Sequence, residues 1–182
     1  MNNIFALKES LSGKDIRSFR ERYELSRKEL SLFLNVSSRT IEKWENTDEK
    51  ICGPIISLLT ILDEKPELID YYRIPEKRYP LRMYYMSETG VSTIIDVDLL
   101  NRKVSFRNYT NNLIKRAFGA KEEVTFEDFE KFLESRCFPR TRDKIKIEFE
   151  KLDIDSYDPL TIIRKTQGRM VDDDFYIVME NV

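Results

Sequence analysis

The chain has 182 residues, of which 35% are charged and 41% hydrophobic, and its 31 basic and 33 acidic residues give a formal net charge of -2. It contains no histidine, which excludes a histidine general base, a Ser-His-Asp or Cys-His nucleophile and the usual histidine-containing zinc sites. Cys52 and Cys137 are far apart and form no C-x-x-C pair, so we expect two free thiols and neither a metal nor another cofactor.

The near-neutral net charge hides an uneven distribution of charge along the chain. Residues 1–43 contain nine basic and six acidic side chains, whereas residues 45–70 contain two basic and seven acidic ones. Only the first block suits a polyanion such as DNA. The first ten residues lack the pattern of a signal peptide, and no apolar stretch approaches the ~20 residues that span a bilayer. We therefore expect a cytoplasmic protein that makes no membrane contact.

The first two predicted helices are joined to a third by a tight turn. Residues 13–23 read as a helix, and Ser26 begins the next one with a capping box, because Glu29 follows three residues later. Asn35 comes directly after the second helix. Asparagine is among the few non-glycine residues that tolerate the left-handed conformation of such a turn.

A third helix is predicted to begin after a serine cap at residue 37 or 38, with Ile41 and Trp44 on its inward side. The apolar run over residues 55–62 predicts a fourth helix, and residues 66–72 a short fifth one. The N-terminal part of the chain is therefore expected to be all helical.

Residues 19–45 resemble the helix-turn-helix of the XRE/Cro type, in the spacing of the two helices, in the turn, and in the Trp-Glu pair that ends the third helix. The resemblance extends over residues 13–72. Three positions depart from the family pattern, since Arg27, Ser31 and Asn35 stand where glutamine, alanine and glycine are usual. The resemblance implies that the third helix enters the major groove of double-stranded DNA.

The resemblance also implies which side chains face the DNA. The expected contacts are Arg27, Lys28, Ser37, Ser38, Arg39, Thr40 and Lys43. Arg39 is the best candidate for reading a base, because a guanidinium can bind O6 and N7 of guanine in bidentate fashion. Two alternatives remain open: a solvated helix face, and a helix-turn-helix that serves only as a protein-binding scaffold.

The C-terminal part is predicted to be a mixed domain that follows a short linker. Strands are predicted over residues 81–87, 91–97, 103–109 and 175–179, and helices over 126–136, 141–152 and 160–166. The fold class is therefore α+β: an all-α helix-turn-helix domain (1–72), a proline-containing linker (73–80), and a small domain with an antiparallel β-meander and three helices (81–182).

Several groups in the C-terminal domain are candidates for partner binding. They are a basic turn containing Arg136, Arg140 and Arg142, and an acidic run of Asp172, Asp173 and Asp174. The basic turn would bind a phosphate or an acidic surface, or else pair with Glu134, Asp143 or the acidic run. The acidic run favours a solvated loop or a contact surface over a metal site, because adjacent carboxylates on an extended chain point to opposite faces.

Two further patterns have a structural and a functional interpretation. Asp96 and Asp98 share one face of a strand and would suit a divalent ion, although no other motif of a nuclease accompanies them. Tyr84, Tyr85 and Phe106 would serve either as core residues or as a platform on which bases stack. The core is the commoner role, and nothing in the sequence assembles an active site, so we expect no enzyme.

Two functions remain open from the sequence. The layout of the whole chain resembles helix-turn-helix-containing anti-CRISPR proteins of phages and mobile elements, and that resemblance implies inhibition of a type II CRISPR effector nuclease by protein binding. The alternative is an XRE-family transcriptional repressor whose C-terminal domain dimerises or senses a partner. A homodimer would read two half-sites about one helical turn apart.

Overall fold

The computed structural model describes residues 4–180. The chain divides into two compact units, Met1–Arg73 and Ile74–Val182. The outermost residues of the two predicted domains, 1–3 and 181–182, lie outside the described residues. The first unit contains five helices within its described part: α1 Gly13–Arg22, α2 Arg27–Phe33, α3 Ser38–Glu45, α4 Ile55–Glu64 and α5 Glu67–Tyr72.

The helices of the first unit begin where their capping residues stand. Ser12 and Asp15 form a capping box at α1, and Ser26 and Glu29 form the predicted one at α2. Each box satisfies backbone amides that the first helical turn leaves without partners. One apolar core joins all five helices. Its members that are less than 2% exposed are Ile16, Leu30, Ile41 and Leu62.

The second unit combines four strands with three α-helices and a short 3-10 helix in its described part. In chain order they are β1 Leu81–Ser87, β2 Gly90–Asp98, β3 Lys103–Asn108, the 3-10 helix Leu113–Lys115, α6 Phe126–Ser135, α7 Ile145–Leu152, α8 Pro159–Thr166 and β4 Tyr176–Met179. All pairings are antiparallel, in the order β3-β2-β1-β4. The predicted α+β class is confirmed, including the meander and the final strand that joins it.

The core of the second unit lies between one face of the sheet and the helices α6 and α8. Side chains of β1 and β2 at alternate positions, such as Met83 and Ile95, cluster with Phe129 of α6 and Ile162 of α8. Tyr85 belongs to this core, where its ring meets that of Phe132 edge to face. The centre of this face of the sheet is therefore buried, whereas Val104, Phe106 and Met179 towards its edges are partly buried.

Two expectations for the second unit need correction. The helix predicted over residues 141–152 begins only at Ile145, because Lys144 adopts a left-handed conformation (φ 59°) after a turn in which the Arg142 amide donates to the Pro139 carbonyl. Of the predicted linker 73–80, residues 74–80 belong to the second unit, where the Arg82 guanidinium donates to the Pro75 carbonyl oxygen at 2.8 Å. No helix in residues 4–180 has the length and apolar character needed to cross a bilayer.

Candidate nucleic-acid interface

The turn between α2 and α3 has the geometry that the sequence predicts. Asn35 is left-handed (φ 54°), and the amide of Val36 donates to the carbonyl of Ser31 at 2.9 Å, which closes α2 with a Schellman-type hydrogen bond. Ser37 then caps α3 by accepting from the Thr40 amide at 3.0 Å. Helix, turn and helix therefore form one continuous hydrogen-bonded motif, and the predicted helix-turn-helix is present.

Helix α3 buries one side and presents the other to solvent. Ile41 and Glu45, which are four residues apart, are buried, whereas Arg39 and Lys43 are exposed. Among residues 4–180, neither Arg39 nor Lys43 takes part in a hydrogen bond or an ion pair with another side chain. Both cations therefore remain available to a ligand that approaches this side of the helix.

The hydroxyl groups near the start of α3 make hydrogen bonds within the helix-turn-helix motif. Ser38 shares a hydrogen bond of 3.0 Å with Ser31, which is buried and also donates to the carbonyl of Lys28. Ser37 and Thr40 are joined through their hydroxyl oxygens at 2.8 Å. Ser31 therefore ties α2 to α3.

Glu45 is a buried carboxylate that pairs with two arginines of the motif, and the sequence alone did not single it out as a site residue. Its side chain is 0% exposed, and its carboxylate accepts from Nε of Arg20 at 2.6 Å and from Nε of Arg27 at 2.8 Å. Burial works to raise the pKa of Glu45, but the hydrogen bonds from the two guanidinium groups outweigh burial and hold this pKa below its ordinary value. One carboxylate thus links α1, α2 and α3.

Arg27 retains an exposed part despite this contact. Its side chain is 43% exposed, and only Nε reaches Glu45, whose hydrogen bond raises the pKa of the guanidinium. Arg27 is the first residue of α2 and precedes Lys28 in the chain. Arg27 is therefore held in place by Glu45 while it keeps donors for a ligand.

The start of α1 packs closely against the end of α3. A Cβ atom placed on Gly13 would lie 2.5 Å from the carbonyl oxygen of Trp44 and 2.9 Å from that of Glu45. Nη2 of Arg17 donates to the same Glu45 oxygen at 3.3 Å. Helix α1 therefore satisfies the C-terminal carbonyl of Glu45 and packs tightly against the end of α3.

The acidic block at residues 45–70 is partly paired with the basic block that precedes it. Besides Glu45, Asp63 of α4 forms an ion pair with Arg22 and accepts from the hydroxyl of Tyr23 at 2.8 Å. The hydrogen bond from Tyr23, followed by that from Arg22, lowers the pKa of Asp63. Within residues 4–180, these pairings leave Arg39, Lys43 and Lys28 as the exposed cations of α2 and α3 that form no ion pair.

The basic turn of the C-terminal domain is largely engaged within the second unit. Arg136 is buried and forms a bidentate pair with Asp173 at 2.6 and 2.9 Å, while its Nε donates to the carbonyl of Gly168. Arg140 pairs with Glu134 at 2.7 Å. The structure therefore brings Arg136 and Asp173 together as an internal contact that joins α6 to the segment before β4.

The remaining candidates of this domain differ in exposure. Arg142 reaches Glu148 at 3.4 Å and is half exposed, while Asp172 and Asp174 lie at the surface on either side of Asp173. Residues 4–180 contain no cluster of three or more side chains of the metal-ligating types Asp, Glu and Cys.

The carboxylate pair on β2 does not form an ion site. Asp96 is buried and binds Arg82 through both oxygens, at 2.6 and 2.7 Å. Asp98 instead caps the turn after β2, accepting from the amides of Leu100 and Asn101. Both carboxylates are therefore committed to structural hydrogen bonds.

Comparison with known proteins supports the helix-turn-helix segment. No family model matches the chain. Over 62 residues the chain is 32% identical to the antitoxin HigA-2 of Vibrio cholerae serotype O1 (strain ATCC 39315 / El Tor Inaba N16961). The matched segment is 34% of this chain and 60% of that antitoxin, so the chain spans about three fifths of the relative's length.

Proposed function

We propose that the chain is a DNA-binding regulator that reads double-stranded DNA with α3 in the major groove. The observation that carries the proposal is the pair of exposed cations on α3, Arg39 and Lys43, which have no partner among residues 4–180 and stand on a helix fixed by Glu45 and Gly13. Cations that carry no internal partner lose no existing contact when they bind a phosphate or a base. The likeness to the antitoxin HigA-2 also supports a helix-turn-helix regulator.

The roles of the individual side chains follow from their positions. Arg39, in the first turn of α3, faces the base edges, where its guanidinium can bind guanine in bidentate fashion. Lys43, one turn further, and Lys28, on α2, contact phosphates. Arg27, held by Glu45, offers its terminal nitrogens to the backbone. Ser37 and Thr40 bind each other and form the cap that presents Arg39.

The experiment is selection of bound sequences from a pool of random DNA duplexes by the full chain, followed by sequencing. The proposal expects a motif to be enriched, and it expects Arg39→Ala to lose the preference at one guanine position of that motif. Lys14→Ala is the matched control, because Lys14 is an exposed cation on the neighbouring helix α1. No enriched motif with the wild-type chain, or an unchanged motif with Arg39→Ala, would refute the proposed docking.

Two finer predictions extend this function. A homodimer would bind a pseudo-palindromic motif with half-sites about 10 base pairs apart, and the selected sequences report this directly. Inhibition of a type II CRISPR effector nuclease stays a prediction from the layout of the chain. A pull-down with such an effector together with a cleavage assay tests it, since full cleavage in the presence of excess chain would exclude inhibition. In both cases we propose that the chain acts by binding and not as an enzyme.

A further inference from the structure

The two edges of the sheet in the second unit differ in how they are covered. Strands β3 and β4 form these edges. On β4, the amide of Ile177 points away from β1 and donates to the carbonyl of Gln167 at 2.7 Å, so the end of α8 covers part of this edge. Within residues 4–180, β3 pairs with β2 alone. An edge strand presents backbone groups with which another strand can pair, and β3 is the edge that keeps them along its length.

The register of β3 shows which of its backbone groups point away from β2. The amide of Tyr109, the residue after β3, donates to the carbonyl of Ser92 at 2.9 Å, and these two residues lie directly opposite each other in the register of the two strands. Hydrogen-bonded and non-hydrogen-bonded pairs alternate along an antiparallel ladder. Residues 103, 105 and 107 therefore bond to β2. The residues whose amides and carbonyls point outward are Val104, Phe106 and Asn108, and these outward groups have no hydrogen-bond partner among residues 4–180.

Strand β3 lacks most of the features that keep a sheet edge from pairing. Natural edges carry prolines, bulges or several lysines. The register of β3 with β2 is regular from Lys103 to Asn108, the strand contains no proline, and its single lysine is its first residue. The middle of this edge is therefore regular and open to a further strand.

The core on the helical side of the sheet ends incompletely at β3. Ile95 and Val97 of β2 are 0% exposed, whereas Phe106 and Val104, which lie directly opposite them on β3, are only partly buried. The ring of Phe106 meets that of Phe118 at a centroid distance of 5.3 Å, so it points toward the helices. An added strand would cover the exposed parts of both side chains, and burial of apolar surface favours association.

The edge of β3 is complementary to itself. In two copies related by a two-fold axis, β3 runs antiparallel to β3, and an outward residue must meet an outward residue. If Phe106 lies on the axis, it faces Phe106 of the second copy, and Val104 faces Asn108. Every outward amide and carbonyl of the strand then has a partner.

The neighbouring register is poorer. If Ser105 lies on the axis, Lys103 directly faces Arg107 of the second copy, and like charges directly opposite each other are unfavourable. Asn108 would then face Arg102, which belongs to the turn before β3 and is left-handed (φ 51°), so it cannot continue the ladder. The backbone and the charges therefore both favour the register centred on Phe106.

We propose that two copies of the chain associate through β3, antiparallel and centred on Phe106, so that their sheets form one continuous sheet. This gives an interface to the homodimer named under the proposed function, and only its role in reading two half-sites rests on that function. Helix α3 takes no part in the pairing. A single pair of short strands buries little surface compared with a permanent dimer, so we expect a dimer that dissociates on dilution.

The first test is sedimentation equilibrium of the full chain without DNA over a dilution series. Val104→Pro removes one outward amide, and proline is tolerated at an edge position whose amide does not serve the sheet. Val104→Thr keeps both the amide and the β-branched shape and is the matched control. We expect wild type and Val104→Thr to dimerise, and Val104→Pro to associate at least about tenfold more weakly. Circular dichroism of each variant reports whether the fold is kept.

A second test reads the register by disulfide formation. In a Cys52→Ser chain, which lacks the exposed thiol, Phe106→Cys places a thiol opposite itself at a Cα separation of about 5.5 Å, within the range of disulfides. Oxidation is expected to link two copies. Ser105→Cys is the control, because residue 105 faces Arg107 of the second copy in this register, and it is expected to crosslink far more slowly.

Three results would overturn the proposal: a chain that stays monomeric at every concentration, equal dimerisation of Val104→Pro and Val104→Thr, or faster crosslinking through residue 105 than through residue 106. If Val104→Pro fails to fold, the comparison of the two cysteine variants decides alone. Both tests are made without DNA, so a monomeric chain would leave the proposed reading of DNA by α3 intact, and a failure of DNA binding would not affect the strand pairing.

Discussion

Replacing Gly13 by alanine tests the packing of α1 against α3. A glycine-to-alanine change in a helix normally stabilises a protein by about 0.4–1 kcal/mol, because it restricts the unfolded chain. Here the added Cβ would lie 2.5 Å from the Trp44 carbonyl oxygen and 2.9 Å from that of Glu45. Both are backbone atoms of α3 that no side-chain rotation can move, so the overpacking penalty of about 1–3 kcal/mol applies. We expect a net loss of about 1–2 kcal/mol.

The assay is urea unfolding followed by the fluorescence of Trp44, the single tryptophan of the chain, which lies on α3. With a slope near 1 kcal/mol per molar urea, the midpoint of Gly13→Ala should fall by about 1–2 M. Ser18→Ala, at an exposed position of the same helix, is the control and should leave the midpoint nearly unchanged or raise it slightly. An unchanged or higher midpoint for Gly13→Ala would refute the close packing.

Three further predictions concern groups whose surroundings the structure defines. Asp96→Ala leaves the buried Arg82 without its carboxylate, so it should destabilise the second unit by about 3–5 kcal/mol, measured by thermal unfolding; a loss below 1 kcal/mol would contradict the buried pair. The hydrogen bonds from Ser12, followed by that from Lys8, lower the pKa of Asp15 from 3.8 to about 2. The ionised Asp15 carboxylate therefore stabilises the fold fully above pH 4, and this contribution is lost as the pH falls through about 2. The difference in urea midpoint between wild type and Asp15→Asn should vanish over this pH window. A difference that stays constant would contradict the lowered pKa. Burial raises the pKa of Cys137 to about 12, whereas Cys52 is exposed, so a thiol reagent at pH 8 should modify one cysteine in the native chain and two in urea.

The local motif was predictable because its determinants lie within a few residues of one another. Ser26 with Glu29, and Asn35 in the turn, act on backbone groups no more than a few positions away. The strands were predictable for a similar reason, since alternation and the turn at Gly90 determine them locally.

The burial of Glu45 could have been predicted from its position in the helix, although not from its residue type. Arg20 follows the buried Ile16 by four positions, and Glu45 follows the buried Ile41 by four, so each lies on the inward side of its helix. Helical periodicity therefore places a cation and a carboxylate in the same interior, and their pairing follows. A count of charges along the chain includes Glu45 in the acidic block 45–70 and does not distinguish a buried carboxylate from an exposed one.

Other contacts had no local signal. Arg136 and Asp173 are 37 positions apart, and nothing in either neighbourhood indicates that one binds the other. The late start of α7 depends on Lys144, a residue that is not a usual left-handed turn former. Such features arise from the packing of the whole domain. The hydrophobic periodicity of a single segment does not predict contacts between segments that are far apart in the chain.

We propose that α3 reads duplex DNA through Arg39. The most direct measurement is an anisotropy titration of a selected duplex with the wild-type chain, Arg39→Ala and the control Lys14→Ala at one salt concentration. If Arg39 reads a base, Arg39→Ala binds the selected duplex at least about tenfold more weakly than Lys14→Ala, and both variants bind a scrambled duplex with similar affinity. Equal affinities of the two variants for the selected duplex would contradict it.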